Sequence, residues 1–392
     1  MKSAPFDKSS LPLIGILVIV AAVIVGLGLS LASDPVSSAV KNDRIISLLV
    51  VLEEAGQPVA TELFLYYPLT GKGAVLDIPG NTGLILKSLN KVDRIDSVYA
   101  KGKPQTYLRE IRSLLQTEIP LWMVYDENGM RKTADLLGGV EMFIPTAVDQ
   151  EGPPRILLPQ GTTSLDGDKL LQLANYVPQD EDDASAAARR QRIFQGFLRA
   201  IARQSDWLTR PDVFPVWRDA IKDNLGSDGL LHFVRGLAKI DIDHLLMQRI
   251  TGTRRIVDRQ TLLFPHYDGD LVRDIVKQTL NALTVTGNGS TDVHTVEILN
   301  GTSIKGLAGK VSEILGSFGY DVISVANADR SDYNSTKIVS RSTNAEAAKS
   351  LAGVIQCTNI GPDDGSLGSS DAEFTIVLGA DFNGRYVVGH KP

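Results

Sequence analysis

The hydrophobic residues along this chain follow two alternating patterns. In some segments they form short continuous runs, and in others they recur every three or four residues. Continuous apolar runs, which predict buried β-strands, occupy residues 44–52, 62–67 and 73–78. Pro79 cannot donate a backbone hydrogen bond and Gly80 frees the backbone, so the third strand must end in a turn. Helical spacing over 104–115 and 185–204 predicts amphipathic helices.

The same alternation continues towards residue 283. Further strands are predicted at 121–125 and 140–144, and further helices at 84–89, 166–176, 214–225 and 230–237. Alternating strands and helices are typical of a central sheet covered by helices. The pattern therefore predicts an α/β domain over residues 44–283, with a mixed central sheet flanked by helices.

A second, smaller domain is predicted after a polar linker, TVTGNGSTD, at residues 284–292. Beyond it, strands are predicted at 295–299, 321–325, 337–340 and 374–378, and helices at 304–315 and 344–355. This order predicts a compact βαββαβ domain over residues 293–382.

Residues 11–31 contain no charged side chain, and as a helix they would be about 30 Å long, the thickness of the hydrocarbon core of a bilayer. They predict a single-pass anchor in the cytoplasmic membrane. Lys2 and Lys8 precede it, which favours a cytoplasmic tail at residues 1–10 and an extracytoplasmic bulk. The alternative is a cleavable signal peptide with a small-residue site at Ser30-Leu31-Ala32. Both interpretations export the body of the chain.

Composition excludes several classes of function. A net charge of -6 and a pI near 5.5 argue against general nucleic-acid binding, which needs a basic face. The single cysteine, Cys357, excludes an internal disulfide or a multi-cysteine metal site. The five histidines are scattered without the spacing of zinc ligands.

Three arginines stand early in the helix predicted at 185–204, near the positive end of its dipole: Arg189, Arg190 and Arg192. Cations there are unfavourable unless an anion offsets them. The nearby acidic run at 180–183 is the simpler source of that anion, and a phosphate-bearing ligand is the other.

Several short motifs resemble the LytR-CpsA-Psr family in order and spacing. In the first domain they are Leu136 to Val140 (LLGGV), Leu165 to Gly167 (LDG), Arg190-Gln191, and Arg94 to Gly102 (RIDSVYAKG). The second domain resembles the LytR C-terminal domain at Val296 to Thr302, Gly306 to Ala308, and Val377 to Phe382. The matching motifs cover about residues 44–382.

This resemblance implies an envelope phosphotransferase, which moves a glycopolymer from a polyprenyl-pyrophosphate carrier to peptidoglycan or a similar acceptor. It implies Mg²⁺ near the pyrophosphate, a membrane and a glycopolymer or peptidoglycan as partners, and no nucleic acid. It assigns pyrophosphate binding to Arg190 and Gln191, with Arg189 beside them. The candidate metal ligands that follow from the resemblance are Glu62 and Asp77.

The chain departs from the family's motifs at several positions. The turn Ser-Ile-Pro-Arg-Asp is replaced here by Asp77-Ile78-Pro79-Gly80-Asn81, so its arginine becomes Gly80 and its carboxylate Asn81. Three further expected arginines fall on Asn175, Val177 and Ala187. We therefore expect either a transferase with a degenerate active site or a non-catalytic envelope protein that binds or scaffolds with the same fold.

Overall fold

The computed structural model describes residues 35–42, 44–151, 155–284, 294–365, 367 and 370–388. A short helix, α1 (Pro35–Lys41), precedes the first strand. The strands of the first domain are β1 (Ile46–Glu54), β2 (Gln57–Tyr67), β3 (Lys72–Asp77), β4 (Gly83–Leu86), β5 (Lys91–Arg94), β6 (Leu121–Asp126), β7 (Val140–Ile144), β8 (Val148–Gln150), β9 (Ile156–Leu158), β10 (Gly161–Leu165), β11 (Lys222–Asp223), β12 (Leu246–Arg249), β13 (Gly252–Val257) and β14 (Gln260–Pro265).

The first domain is organised around a six-stranded mixed sheet with the order β11-β6-β1-β2-β3-β12. The hairpins β1–β2 and β2–β3 are antiparallel, whereas β6 lies parallel to β1 and β12 parallel to β3. Its helices after α1 are α2 (Gln105–Leu115), α3 (Glu127–Leu136), α4 (Gly167–Asn175), α5 (Asp183–Arg203), α6 (Ser205–Leu208), α7 (Phe214–Arg218), α8 (Gly226–Leu237) and α9 (Asp270–Thr284).

Two hydrophobic cores lie on opposite faces of this sheet. One core packs Phe64 and Val75 against residues of α5 and α8, such as Phe194 and Phe233. The other packs alternate sheet residues, such as Leu63, against α2 and α9. Helices on both faces explain the continuous apolar runs of β1 to β3, since neither face of these strands is exposed to water.

The second domain contains β15 (Thr295–Asn300), α10 (Leu307–Ser317), β16 (Asp321–Asn327), β17 (Lys337–Ser340), α11 (Ala345–Ile355), β18 (Ile360–Pro362) and β19 (Phe374–Leu378). Its sheet has five strands in the order β16-β15-β19-β17-β18, so β18 adds a strand to the predicted βαββαβ unit. The predicted α/β class and the separate C-terminal sheet domain are both confirmed.

The second domain packs on α9 of the first. Leu271 and Ile275 of α9 belong to the hydrophobic core of the second domain. Asp274, between them, accepts hydrogen bonds from Arg385 at 2.8 Å and from the Tyr386 hydroxyl at 2.5 Å. The predicted linker at 284–292 lies outside the described residues except for Thr284, and the domain boundaries stay predictions.

Two local predictions were wrong. Residues 84–89 do not form a helix, because Gly83–Leu86 pairs with Lys91–Arg94 as a hairpin. The helix predicted at 214–225 ends at Arg218, since Lys222–Asp223 pairs with β6 at the edge of the central sheet. The strand predicted at 140–144 is confirmed, and it pairs with β10 in a separate two-stranded sheet.

In the described part of the chain, no helix is both long and apolar enough to cross a membrane. Residues 1–34, which include the predicted cytoplasmic tail and the predicted anchor at 11–31, lie outside that part.

Candidate functional site

The centre of the candidate site is a pair of carboxylates on adjacent strands. Glu62 of β2 lies directly opposite Asp77 of β3 in the antiparallel register, and Asp77 is the last residue of β3, two residues before Pro79. Both side chains are buried, with 2% of Glu62 and 0% of Asp77 exposed. Burial raises the pKa of Glu62 well above its usual value, and the neighbouring charge of Asp77 raises it further.

Glu62 lacks a hydrogen-bond donor. Among the described residues, none donates to either of its carboxylate oxygens. A buried carboxylate without a donor is costly, so the facing Glu62 and Asp77 need either a shared proton or a cation.

Arg190 of α5 pairs with the other member of the carboxylate pair. Its guanidinium donates two hydrogen bonds to the Asp77 carboxylate, at 2.6 and 2.7 Å. The Arg190 side chain is 16% exposed, so this is a nearly buried, two-pronged ion pair. Arg190 stands two turns inside α5, whose N-terminus is capped by the Asp182 side chain accepting from the Ser185 amide.

A polar cavity of about 190 Å³ opens beside this pair. It is bordered by residues 58–61 of β2, the turn at 79–81, Arg190, and a second arginine, Arg94. Arg94 is paired with Asp96 through its Nε and Nη2, including a 2.5 Å hydrogen bond from Nη2 to Oδ2. The polar cavity therefore has two guanidinium groups on its wall, and each is matched by an aspartate.

Gly80, at the position where the family motif led us to expect an arginine, is packed against this second ion pair. An ideal Cβ placed on Gly80 would overlap the Asp96 carboxylate, with the Asp96 Cγ only 3.1 Å away. Only a residue without a side chain fits beside Asp96 unless Asp96 moves. The loss of a side chain at position 80 and the presence of the Arg94–Asp96 pair are thus sterically linked.

An apolar cavity lies on the other side of Arg190, between the sheet and α5. Its walls are Val50 to Leu52, Ala60, Glu62, Tyr125, Met130, Arg190, Ile193, Phe194 and Phe197. Its volume is about 50 Å³, which is enough for a few water molecules.

A larger cavity of about 450 Å³ adjoins it, with Ile193 on the wall of both. Arg189 in this larger cavity pairs with Glu181 at 2.8 and 2.9 Å and also donates to the Ala174 carbonyl. Arg192 lines the same cavity and forms no ion pair with any described residue. The sequence suggested two anions for these arginines, the acidic run at 180–183 or a phosphate-bearing ligand. For Arg189 the anion is Glu181, a member of the acidic run.

The remaining predicted site residues are dispersed. The Gln191 side chain is buried and donates to the backbone carbonyls of Gln248 and Val75, which stitches α5 to β12 and β3. Asn175 donates to Glu54 at 2.6 Å, Val177 is 66% exposed and Ala187 is 2% exposed. Asn81 borders the polar cavity, and its carbonyl accepts from the Leu263 amide.

Arg94 and Asp96 were not singled out as site residues in the sequence, although they lie in the segment Arg94 to Gly102. The sequence feature that could have indicated this pair is Arg94 two positions before Asp96, where the family motif has Lys-Ile-Asn. The segment is held in place by Glu53 of β1, which accepts from the Tyr99 hydroxyl and the Gly102 amide, both at 2.6 Å.

Comparison with known families gives two matches. Residues 73–280, more than half of the chain, match the LytR_cpsA_psr family, and residues 294–382 match the domain described as LytR cell envelope-related transcriptional attenuator. The chain belongs to the LytR-CpsA-Psr family and carries a LytR C-terminal domain.

Curated relatives include proteins named polyisoprenyl-teichoic acid–peptidoglycan teichoic acid transferase TagU. The Bacillus anthracis protein is 23% identical over 177 residues, which cover 45% of this chain and 57% of the relative. The Bacillus licheniformis protein is 22% identical over 189 residues, covering 47% and 61% respectively. The alignments thus span less than two thirds of either relative.

Solved structures share the fold. Bacillus subtilis TagV superimposes with a TM-score of 0.53 at 17% identity, covering 61% of this chain and 98% of that structure. A structure titled TagT bound to LI-WTA gives a TM-score of 0.52 at 14% identity, covering 63% and 93%. At these identities the likeness extends to the fold of the first domain.

Proposed function

We propose that this chain is a membrane-anchored cell-envelope protein that binds glycopolymers carried on polyprenyl diphosphate and transfers them slowly, through a degenerate active site. The observation that carries the proposal is the position of Arg190, which pairs with Asp77 opposite Glu62 and lines both a polar cavity and an apolar one. A lipid diphosphate has the same division into a charged head and an apolar tail.

The polar cavity suits a diphosphate because two guanidinium groups line it. Arginine presents a planar fork of donors that matches phosphate oxygens. Arg190 and Arg94 are each held rigidly by an aspartate, so little side-chain entropy is lost when they bind an anion. The aspartates also oppose binding, because a diphosphate has to share or displace them.

Glu62 and Asp77 suit Mg²⁺ in one respect: the two Glu62 oxygens have no donor among the described residues. The described chain offers no cluster of three or more His, Cys, Asp or Glu side chains that could hold a metal. Mg²⁺ commonly takes one or two carboxylates and completes its shell with substrate phosphates and water. Mg²⁺ held by Glu62 and Asp77 would offset the negative charge of these carboxylates and of the diphosphate.

The expected rate is low because several charged contacts are missing. Positions 80, 175, 177 and 187 carry no arginine. Each contact to charge that develops in the transition state typically contributes about 3 kcal/mol. Arg94 offsets part of this loss, since it reaches the polar cavity from a different place in the chain.

The lipid tail needs more room than the 50 Å³ apolar cavity provides. Movement of Ile193, which separates this cavity from the 450 Å³ one, would join the two. The unpaired Arg192 on the wall of the larger cavity would then face the ligand. Anchoring by residues 11–31 would keep the chain at the membrane that contains such lipids.

A second candidate function is a non-catalytic envelope protein that binds or scaffolds without transfer. The contacts at Arg190 and the small apolar cavity, as they stand in the structure, favour this second candidate. Asp77 occupies the Nε and Nη2 donors of Arg190, and the apolar cavity has a volume of only about 50 Å³.

The deciding experiment is polymer transfer from a polyprenyl-diphosphate substrate by the full chain in detergent, with Mg²⁺ and with chelator. Arg190→Ala is the test variant and Arg199→Ala, on the same helix, is the matched control. Metal-dependent transfer that is lost only in Arg190→Ala supports the transferase. Binding of the lipid without transfer, measured on the same preparation, would contradict the transferase and support the second candidate.

A further inference from the structure

A groove of about 400 Å³ lies at the point where the described structure begins. Its walls come from α1, the turn between β2 and β3, α8 and the residues that follow α8. The lining residues used below are Val40 of α1, Leu69 of the turn, and Arg235 and Lys239 at the end of α8. We call these four residues and the space between them the α1–α8 groove.

Two cations of the α1–α8 groove have no partner. Arg235 and Lys239 are exposed, and neither forms a hydrogen bond or ion pair with any described residue. Arg235 is in the last turn of α8 and Lys239 is in the turn that follows, and both line the same groove. The nearest acidic residue along the chain, Asp241, is paired with His244 at 2.8 Å. The groove thus presents two uncompensated positive charges.

Apolar side chains flank these charges. Leu69 is 62% exposed and Val40 is 43% exposed, although both belong to segments that pack against the core. Exposed aliphatic side chains beside exposed cations are the composition of surfaces that meet the headgroup region of a bilayer.

The position of α1 along the chain identifies what faces the groove. Val36 of α1 is 0% exposed and belongs to the hydrophobic core, so the folded body is fixed from this residue onwards. The apolar stretch 11–31 ends five residues earlier. Five residues of chain span at most about 17 Å when fully extended. If 11–31 crosses the membrane, α1 and the groove that it lines must lie close to the bilayer surface.

We propose that the α1–α8 groove binds the headgroup of an anionic phospholipid in the membrane that anchors the chain. This inference rests on the anchoring included in the proposed function. Arg235 and Lys239 would contact the lipid phosphate, and Leu69 and Val40 would reach the acyl boundary. The contact would hold the folded body in one orientation on the membrane, rather than leaving it free to rotate about the tether.

The test uses the full chain in nanodiscs of phosphatidylcholine, with or without phosphatidylglycerol. A fluorophore is attached at Leu69→Cys in a Cys357→Ser background, and a nitroxide on the lipid headgroup serves as quencher. We expect strong quenching that depends on phosphatidylglycerol. The same label at Ile256→Cys, outside the groove and 79% exposed, should show no such dependence.

Charge reversal provides the matched comparison. Arg235→Glu/Lys239→Glu is expected to weaken the dependence on phosphatidylglycerol by more than about 30-fold, because loss of each cation costs about five-fold and the two new carboxylates repel the lipid. The control Arg109→Glu/Lys132→Glu changes the net charge equally at exposed residues outside the groove. Thermal unfolding of each variant shows that the fold is intact, and the milder Arg235→Gln/Lys239→Gln should give an intermediate loss.

Two results would overturn the lipid site while leaving the anchor intact: equal quenching in both lipids, or no quenching in discs that do contain the chain. Failure of the chain to enter the discs would instead contradict the anchor, and the lipid site with it. Loss of the phosphatidylglycerol dependence in Arg109→Glu/Lys132→Glu would also overturn the lipid site, because net charge would then explain the result.

Discussion

Removing Arg190 should destabilise the first domain by several kcal/mol, whatever the protein's activity. In Arg190→Ala, Asp77 loses its two-pronged partner while it remains 0% exposed beside the buried Glu62. Breaking a buried ion pair by removing one member typically costs about 3 to 5 kcal/mol, because an uncompensated charge stays behind. For a domain of this size, about 3 kcal/mol lowers the unfolding midpoint by roughly 10 °C.

The free energy of unfolding is measured by urea titration at neutral pH, as a shift in midpoint at constant slope. Arg199→Ala is the control, since Arg199 is on the same helix and pairs with the 63%-exposed Asp243. Its loss should stay below about 1 kcal/mol. Asp77→Asn combined with Arg190→Ala should recover much of the stability, because the stranded charge is then absent.

Equal losses for Arg190→Ala and Arg199→Ala would refute this reasoning, since the Asp77 pair would then behave as a surface pair. An additive double variant would refute it as well. The result also governs the transfer assay. Loss of transfer in Arg190→Ala is informative about diphosphate binding only at temperatures where this variant remains folded.

Three further predictions concern the neighbouring contacts. Glu62→Gln should raise the free energy of unfolding at neutral pH. The pKa of Glu62 is higher in the folded protein than in the unfolded protein, so folding favours the protonated carboxyl. The contribution of Glu62 to stability is therefore complete below its unfolded pKa and is lost as the pH rises through its folded pKa. In thermal scans, the Tm of this variant should therefore depend less on pH than the Tm of the wild type. Any rise in Tm caused by Mg²⁺ should also be absent from the variant. A variant with the same pH and Mg²⁺ dependence as the wild type would contradict both expectations. Gly80→Ala should cost about 1 to 3 kcal/mol in urea titrations through its clash with Asp96, and adding Asp96→Ala should relieve the cost rather than increase it. Arg385→Ala removes donors to the Val354 carbonyl and to Asp274, so hydrogen exchange at 383–388 should accelerate, while exchange in β1 to β3 stays unchanged.

Local rules were sufficient for much of the fold. The end of β3 before Pro79, the start of α2 at Pro104, and α5 all follow from backbone chemistry and apolar spacing within one segment. The failures came where pairing with a distant or very short segment decided the outcome. Residues 83–86 are too few to show a period, and their strand state depends on pairing with 91–94.

The candidate site was less accessible to sequence reasoning for the same reason. Arg190 and Asp77 were each singled out, but they are 113 residues apart, and nothing in either segment indicates that they pair. Glu62 and Asp77 face each other only because the β2–β3 register brings them together. Arg94 was overlooked because its partner Asp96 differs from the asparagine that the family motif has at that position.

The charge balance at the polar cavity determines how a ligand can bind there. Arg94 and Arg190 contribute two positive charges, and Asp77 and Asp96 cancel them before Glu62 is counted. A diphosphate at this cavity would therefore meet an almost neutral site, in which Nε and Nη2 of each arginine are already bonded to an aspartate. We expect binding to require either a cation at Glu62 and Asp77 or release of the aspartates from the arginines. Because Glu62 has no donor among the described residues, we expect the cation to be the less costly of the two and binding to depend on a metal ion.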